Sequence, residues 1–361
     1  AARLVRDLRA VRPEASVAAI GGEELEAAGA DRVFDLVEHS VIGFLEVLKN
    51  YGFFRELFHG LLEWIREHRP RNVLFVDYPG FNLRMANRLY SEGLSRKAGG
   101  EIGVYYYIAP QVWAWKAKRR FRMAEVLDGL GVIFPFEVDT FADTDLPVQF
   151  VGHPFVSERY RSLLRYEKDG PVLLLPGSRI QQVNRVFPLQ LRGFENTLAK
   201  YPDREAIVVY PSRRIREALE TILEGRIQAK ERITFRKNDE AVSGSVTLMS
   251  SGTMSLAVAL AGIPGVIVQQ VNALTYLIGK SLVRIEYIGL ANLLLDRCLI
   301  PEYIQNVNTD ALSRELLAGL ENEGRIARAR KGAEELRELL STGESHPGGE
   351  WLAACLDGGT R

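Results

Sequence analysis

A chain of 361 residues, 47% hydrophobic and 25% charged, has the balance of a soluble globular protein and the length for two domains of ordinary size, which excludes a mainly disordered chain. Its 46 Lys and Arg cancel its 46 Asp and Glu, so no global field draws it to nucleic acid, and an anionic partner must be met by local clusters. Cys298 and Cys355 lie far apart, in neither zinc nor disulfide-framework spacing, and His39, His59, His68, His153 and His346 give no ligand spacing, so neither a metal nor a cofactor is expected and a reducing, cytoplasmic address is.

The chain opens on Ala-Ala-Arg-Leu-Val-Arg-Asp-Leu, which reads as the inside of a helix with a further piece expected in front of it. Beyond it, short apolar runs that end in turn residues alternate with segments of helical period, the signature of βα units and a parallel sheet. In the first half the runs at 17–20, 73–76, 102–107 and 131–134 read as strands. A second series follows Gly152-His153-Pro154, at 172–175, 207–210, 233–235, 246–249 and 265–268. Between the two series, residues 157–170 are polar and charge-rich without an apolar period, which sets domains at about 1–155 and 156–361. Residues 241–279 carry no charge, yet Gly244, Gly252, Gly262, Pro264 and Gly265 cut them into pieces too short to span a membrane, so buried strands and helices are expected there. The charged tail is helical in period, with Arg and Glu three and four apart over 326–340. The fold class is α/β, with two doubly wound domains, and such sheets take ligands outside the carboxyl ends of their strands, so a site in the cleft between the halves is expected.

Three features carry chemistry. In Val73-Leu74-Phe75-Val76-Asp77-Tyr78-Pro79-Gly80, four apolar residues make a buried strand and Asp77 sits at its carboxyl end, where a carboxylate can act as general base; Asn82 is the better placed residue to cap the helix that follows. In Leu175-Pro176-Gly177-Ser178-Arg179 a strand, tight turn and helix start combine free backbone N–H groups, a helix dipole and a guanidinium, which suits a phosphate. The arrangement returns at Ser251-Gly252-Thr253, and two such loops on one sheet edge suit a diphosphate. No G-x-G-x-x-G after a strand, no P-loop and no G-x-S-x-G elbow occurs, which removes the best support for nicotinamide cofactors, P-loop chemistry and α/β-hydrolases. The third feature is an apolar stripe: Val47, Tyr51, Phe54, Phe58, Leu61 and Ile65 in steps of four and three, widened by Phe44, Leu48, Phe53, Leu57 and Trp64. Further on, five of the seven residues from Lys116 to Arg122 are basic, among them Lys118, Arg119 and Arg120, directly after Trp113-Ala114-Trp115. Aromatics beside cations suit an anionic membrane surface or lipid phosphate, against the plainer readings of core packing and a solvated face.

Together these motifs resemble one family, the lipid-A-disaccharide synthases, glycosyltransferases of the GT-B fold in which two Rossmann-like domains face each other across a cleft. The resemblance runs through Val76-Asp77-Tyr78-Pro79-Gly80-Phe81-Asn82, Ala109-Pro110-Gln111-Val112-Trp113-Ala114-Trp115-Lys116, Phe134-Pro135-Phe136-Glu137, Gly152-His153-Pro154, Gly177-Ser178-Arg179, Ser251-Gly252-Thr253, Leu290-Ala291-Asn292-Leu293 and Pro301-Glu302-Tyr303-Ile304-Gln305, in the family's order. It implies transfer of 2,3-diacylglucosamine from UDP to the 6-hydroxyl of 2,3-diacylglucosamine 1-phosphate, with inversion and without a metal. The family's catalytic base falls on Asp77, and its nucleotide contacts fall on Gly177, Ser178, Arg179, Ser251, Gly252, Thr253 and Asn292, with Gln305 as a further one. The acylated substrates give the stripe and basic run a purpose, docking on the cytoplasmic face of the inner membrane of a Gram-negative bacterium, and a homodimer is a further expectation. Where the family commonly has Glu, this chain has Gln182 and Ala257; Gly80 stands in place of a second acid and Ala291 in place of a proline. The alternatives are another UDP-sugar enzyme of the same fold, such as a UDP-sugar 2-epimerase, and a relative that binds UDP-sugar or lipid without catalysis.

Overall fold

The computed structural model describes residues 1–34, 51–157, 160–224, 230–270, 286–343 and 347–358; Phe44, Val47 and Leu48 of the apolar stripe lie outside them, as does the side chain of Tyr51. Contacts divide the chain into two units, Ala1–Glu158 with Leu340–Arg361, and Arg159–Leu339.

In the first unit α1 (Ala2–Val11), β1 (Ala18–Ile20), α2 (Glu23–Ala27) and β2 (Asp31–Phe34) precede α3 (Tyr51–His68), β3 (Asn72–Val76), α4 (Pro79–Ser91), β4 (Gly103–Tyr107), α5 (Arg119–Val126), β5 (Gly129–Val132), α6 (Phe136–Thr140) and β6 (Val148–Phe150). β1 and β2 form a parallel pair, and β3, β4, β5 and β6 follow one another in a parallel sheet. The sequence of β4, Gly-Val-Tyr-Tyr-Tyr, is buried throughout because helices cover both faces of a parallel sheet. One face meets Met85, Ala86 and Leu89 of α4 and Leu62 and Ile65 of α3. The strand expected at 131–134 lies two residues earlier, since the Phe134 N–H has left the ladder to donate to Glu137.

The second unit contains β7 (Leu164–Tyr166), β8 (Val172–Leu175), α7 (Ile180–Thr197), β9 (Ala206–Tyr210), α8 (Arg213–Glu224), β10 (Ile233–Lys237), β11 (Val242–Gly244), β12 (Val246–Met249), α9 (Thr253–Leu260), β13 (Gly265–Gln269), α10 (Leu290–Leu295), β14 (Glu302–Ile304), α11 (Thr309–Glu321) and α12 (Glu323–Leu340). Six strands form one parallel sheet in the order β10-β9-β8-β12-β13-β14, and β7 pairs with β11 beside it. Numbered within the sheet, that order is 3-2-1-4-5-6, the doubly wound arrangement, whose switch point falls between β8 and β12. The apolar β8 and β12 are wholly buried, as are Ser255 to Leu260 of α9, so the strands and this helix in the described part of 241–279 are core while the stretch 251–254 is open to solvent.

The last helix, α13 (Pro347–Leu356), corrects the expected boundary, because it belongs to the first unit rather than the second. It packs on α1: a Cβ added at Gly349 would overlap the Asp7 carbonyl and the Leu8 nitrogen, so the two backbones touch. Trp351 lies 6.2 Å from the Tyr107 ring, and the Tyr105 hydroxyl donates to the Cys355 carbonyl at 2.8 Å. Gly349→Ala should therefore cost about 1–3 kcal/mol in urea unfolding, as overpacking does. Gly348→Ala meets only the far end of Leu4, 3.0 Å away, and should cost clearly less; equal losses would show that backbone contact does not set this joint.

Candidate active site

Asp77 follows β3, and its N–H donates to the Tyr107 carbonyl at 3.0 Å, which extends the β3–β4 ladder by one bond. The chain then turns through two left-handed residues, Asp77 at φ 49° and Tyr78 at φ 44°, a conformation that costs a non-glycine residue about 1 kcal/mol or more. Its neighbours hold it there. The Asp77 carbonyl accepts from the Tyr106 hydroxyl at 2.5 Å and from Asn82 Nδ2 at 2.6 Å, and the same Asn82 amide reaches the Val76 carbonyl at 3.1 Å. Burial, and then the charge of Asp77, raise the Tyr106 phenol above its ordinary value, so it remains a donor. Asn82 does not cap the helix as the sequence suggested; Tyr78 is the N-cap residue of α4, without a side-chain bond, and Asn82 ties down the strand end. The Asp77 side chain is exposed and has no hydrogen-bond partner among the described residues, so the carboxylate stands free at the carboxyl edge of the sheet.

In the second unit the switch point brings the two phosphate-type loops together. Met249 pairs with Leu175, the Ser250 N–H donates to the Leu175 carbonyl at 2.8 Å, and a Cβ on Gly177 would stand 3.0 Å from Ser250 Oγ. Gly177, at φ 111°, must be glycine because a side chain would also strike Gln182. Ser178 and Arg179 are exposed, and Arg179 has no acidic partner among the described residues. It occupies the N-cap of α7 without a side-chain bond, leaving the first helical N–H groups free for an anion. Ser251 is half-buried and Gly252 and Thr253 are exposed at the start of α9.

Asn292 departs from its expected role. It is fully buried, its Nδ2 donates to the Ile300 carbonyl at 2.6 Å and Glu302 Oε1 at 2.8 Å, and its Oδ1 accepts from the Leu299 and Ile300 N–H groups, each at 2.9 Å. All four hydrogen-bonding positions of the amide are taken, so it braces the segment before β14 and has none left for a nucleotide. Gln305 stands at the end of β14 with φ 58°, its N–H donating to the Gln269 carbonyl at 3.0 Å. Sequence reading missed Gln269, whose Oε1 accepts from Ser251 Oγ at 3.0 Å and Gln182 Nε2 at 3.4 Å; a glutamine closing a strand leaves no periodic signal. A cavity of about 230 Å³ in this unit lies at the opposite edge of the sheet, against Gly265 and Pro301 at the strand starts, away from these loops.

The lipid-contact candidates divide. Phe58 and Trp64 pack against the first unit's core, Phe58 meeting Phe81 at 5.6 Å and Trp64 stacking on His68 at 4.5 Å, so for these two the core reading holds. Phe54 is half-buried, 6.2 Å from the exposed Tyr78 ring. Arg120 is paired with Asp143. Trp115 is 50% exposed with Lys116 over its ring at 4.5 Å and Arg119 at 5.7 Å, Phe121 is 44% exposed, and Lys118 is exposed beside them. Among the described residues no helix is long and apolar enough to cross a membrane.

The tryptophan segment is anchored from below. Trp113 Nε1 donates to Glu137 Oε1 at 3.3 Å, and the Phe134 N–H to Glu137 Oε2 at 3.1 Å. Phe136 meets Trp113 edge-on at 5.2 Å, while Phe134 stacks on Phe136 at 5.8 Å and on His153 at 5.4 Å. Glu137 is 1% exposed, and burial pushes its carboxyl from 4.5 up to about 7 despite these donors. Burial also lowers His153 from 6.5 to about 4, keeping it neutral, with Nδ1 accepting from the Phe155 N–H.

A sequence-family model described as lipid-A-disaccharide synthetase matches residues 1–349. Among curated relatives, a lipid-A-disaccharide synthase of Geobacter sulfurreducens is 31% identical over 352 residues, covering 95% of this chain and 90% of that one. One of Nitrosococcus oceani is 30% identical over 372 residues, covering 99% and 93%. Among solved structures, a putative UDP-N-acetylglucosamine 2-epimerase from Listeria monocytogenes superposes with a TM-score of 0.62 at 12% identity, over 98% of this chain and 90% of that one. A glycosyltransferase from Rickettsia africae gives 0.53 at 10% identity, over 99% and 93%. These two likenesses speak for the fold alone, two Rossmann-like domains.

The raised Glu137 carboxyl and the lowered His153 act oppositely on stability. The folded state holds the Glu137 proton more tightly than the unfolded chain does, so its contribution falls as pH rises from 4.5 to about 7; that of His153 rises between about 4 and 6.5. The two partly cancel in the intact protein. Glu137→Gln removes one of them, so the unfolding free energy of the variant minus that of the parent should climb by about 3 kcal/mol between pH 4.5 and 7.5. Urea titrations at several pH values check this, and a difference independent of pH would mean that Glu137 is already ionised in the folded protein at pH 5.

Proposed function

The chain belongs to the lipid-A-disaccharide synthetase family and is a glycosyltransferase of lipid A disaccharide synthesis, and from that premise we propose that Asp77 is its general base and that the loops at 177–179 and 251–253 hold UDP. The reaction joins 2,3-diacylglucosamine, carried on UDP, to the 6-hydroxyl of 2,3-diacylglucosamine 1-phosphate. Asp77 takes the proton of that hydroxyl as its oxygen bonds to the anomeric carbon, and the bond from that carbon to the diphosphate breaks on the opposite face, which inverts the centre and releases UDP. Arg179 and the N-termini of α7 and α9 receive the charge that develops on the leaving diphosphate. The observation that carries the reading is the Asp77 turn: a left-handed strand end fastened by Tyr107, Tyr106 and Asn82, from which an unengaged carboxylate projects. The two loops meeting at the switch point of the second sheet support the nucleotide part, and Asn292 serves it indirectly by bracing the chain before Gln305.

Both substrates carry acyl chains, and the surface around Trp115 is where we place membrane contact. An exposed indole and phenyl ring flanked by Lys116, Lys118 and Arg119 suit the headgroup region of an anionic leaflet on the cytoplasmic side. Phe54, half-buried in α3, belongs to the same proposal, as do Phe44, Leu48 and Tyr51 by their place in the sequence.

Asp77→Asn should retain UDP binding by calorimetry and lose about 10²- to 10⁴-fold in kcat. Turnover at the parent rate would remove Asp77 from the chemistry. In flotation with vesicles containing phosphatidylglycerol, Trp115→Ser combined with Phe121→Ser should lower the bound fraction, and salt should lower it in the parent. Unchanged flotation by the double variant would place the lipid surface elsewhere.

A further inference from the structure

Gln269 ends the uncharged strand β13, at the carboxyl edge of the second sheet, where it joins segments far apart in sequence. Its side-chain oxygen accepts from Gln182 Nε2 on the first turn of α7 and from Ser251 Oγ in the loop before α9, at 3.4 and 3.0 Å, and its main-chain oxygen accepts from the N–H of Gln305. Gln182 is itself the side chain against which Gly177 lies. One residue therefore links both phosphate-type loops, through its side chain, with the turn after β14, through its main chain. A side-chain amide oxygen has two lone pairs, and here both are taken; the amide NH2 carries two donors, and neither has an acceptor among the described residues. The residue is half-buried, so these donors sit at a partly dry edge between two loops, each of which offers further donors.

We propose that Gln269 sets the spacing of the two loops and gives its NH2 to the diphosphate of the UDP-sugar. This rests on the reading that these loops hold UDP. A glutamine suits the place because the same group must accept on one side and donate to an anion on the other. Glutamate would keep both accepted bonds and lose the donated one, with a negative charge set beside the diphosphate. A residue that merely holds the loops together would tolerate that exchange.

The experiment is calorimetric binding of UDP and of uridine to the parent protein, Gln269→Glu and Gln269→Met, with thermal unfolding of each and steady-state rates against UDP-sugar concentration. Gln269→Glu should unfold at the parent temperature and bind UDP about 10- to 100-fold more weakly, the range for a hydrogen bond to a charged group, with uridine binding little changed. KM for the UDP-sugar should rise and kcat should fall as well, because the charge on the diphosphate grows as its bond to the sugar breaks. Gln269→Met drops the NH2 without adding charge, together with the oxygen that ties Gln182 and Ser251, so it should weaken UDP in the same direction with a lower unfolding temperature, and it supplies the result if the glutamate variant fails to fold. Parent-like UDP binding by a folded Gln269→Glu or Gln269→Met overturns the role of Gln269 and leaves the loops as the nucleotide site. A folded parent protein that does not bind UDP overturns the loop assignment itself.

Discussion

The parallel pairing of β12 with β8 is the constraint on which the second unit depends. Because strand order reverses there, the chain leaves β8 and β12 towards opposite faces of the sheet, and the loops that follow part at their helices while their roots stay bonded, Ser250 N–H to Leu175 carbonyl. Beneath them Gln190 of α7, fully buried, donates to the Leu248 carbonyl at 3.1 Å and the Leu175 carbonyl at 3.4 Å, so one helix side chain bridges the two strands just below the crevice. These bonds from Nε2 to both strands oppose any slip of register between them, while Gln190 Oε1 is buried with no partner among the described residues. Glu302 repeats the device at the sheet's edge, its carboxylate accepting from the Ile288 and Gly289 N–H groups and from Asn292.

In the first unit, order is concentrated at strand ends. Asp77 and Tyr78 after β3, and Ile108 after β4 at φ 66°, all have left-handed backbones without being glycine, and Ile108 is β-branched, which makes the conformation more costly still. Asp77 and Ile108 are each held by a bond to the neighbouring strand, Asp77 to Tyr107 and Ile108 to Gly131. Two adjacent strands thus turn sharply at the edge where the reactive carboxylate stands, so its position is fixed by the sheet rather than by a loop free to wander.

How much of this could be read from the sequence depended on what each residue's signal was about. Runs such as Val172 to Leu175 and Val246 to Met249 are apolar, bounded by turn residues and buried on both faces, and they appear as strands at the expected positions. Leu164 to Tyr166 and Glu302 to Ile304 are three residues each and partly polar, so nothing in their composition separates them from loop. Asp77, Arg179 and Ser251 follow strands and could be placed at sheet edges from that fact alone. Asn292 could not be judged this way, because a motif position does not say whether an amide's hydrogen bonds are already satisfied. Phe58 and Trp64 share a helical stripe with candidates for lipid contact, and periodicity cannot tell a face turned to lipid from one turned to the domain's own core.

The return of α13 to the first unit has a consequence for biosynthesis. The chain leaves the ribosome from its amino end, and Arg159–Leu339 has been made in full before Pro347 emerges. The older unit is thus completed by residues made after the whole of the second one. Until then Tyr105, Tyr107 and the Leu4 and Leu8 face of α1 lack the helix that covers them, so the nascent chain carries an uncovered apolar seam while the whole of Arg159–Leu339 is being made.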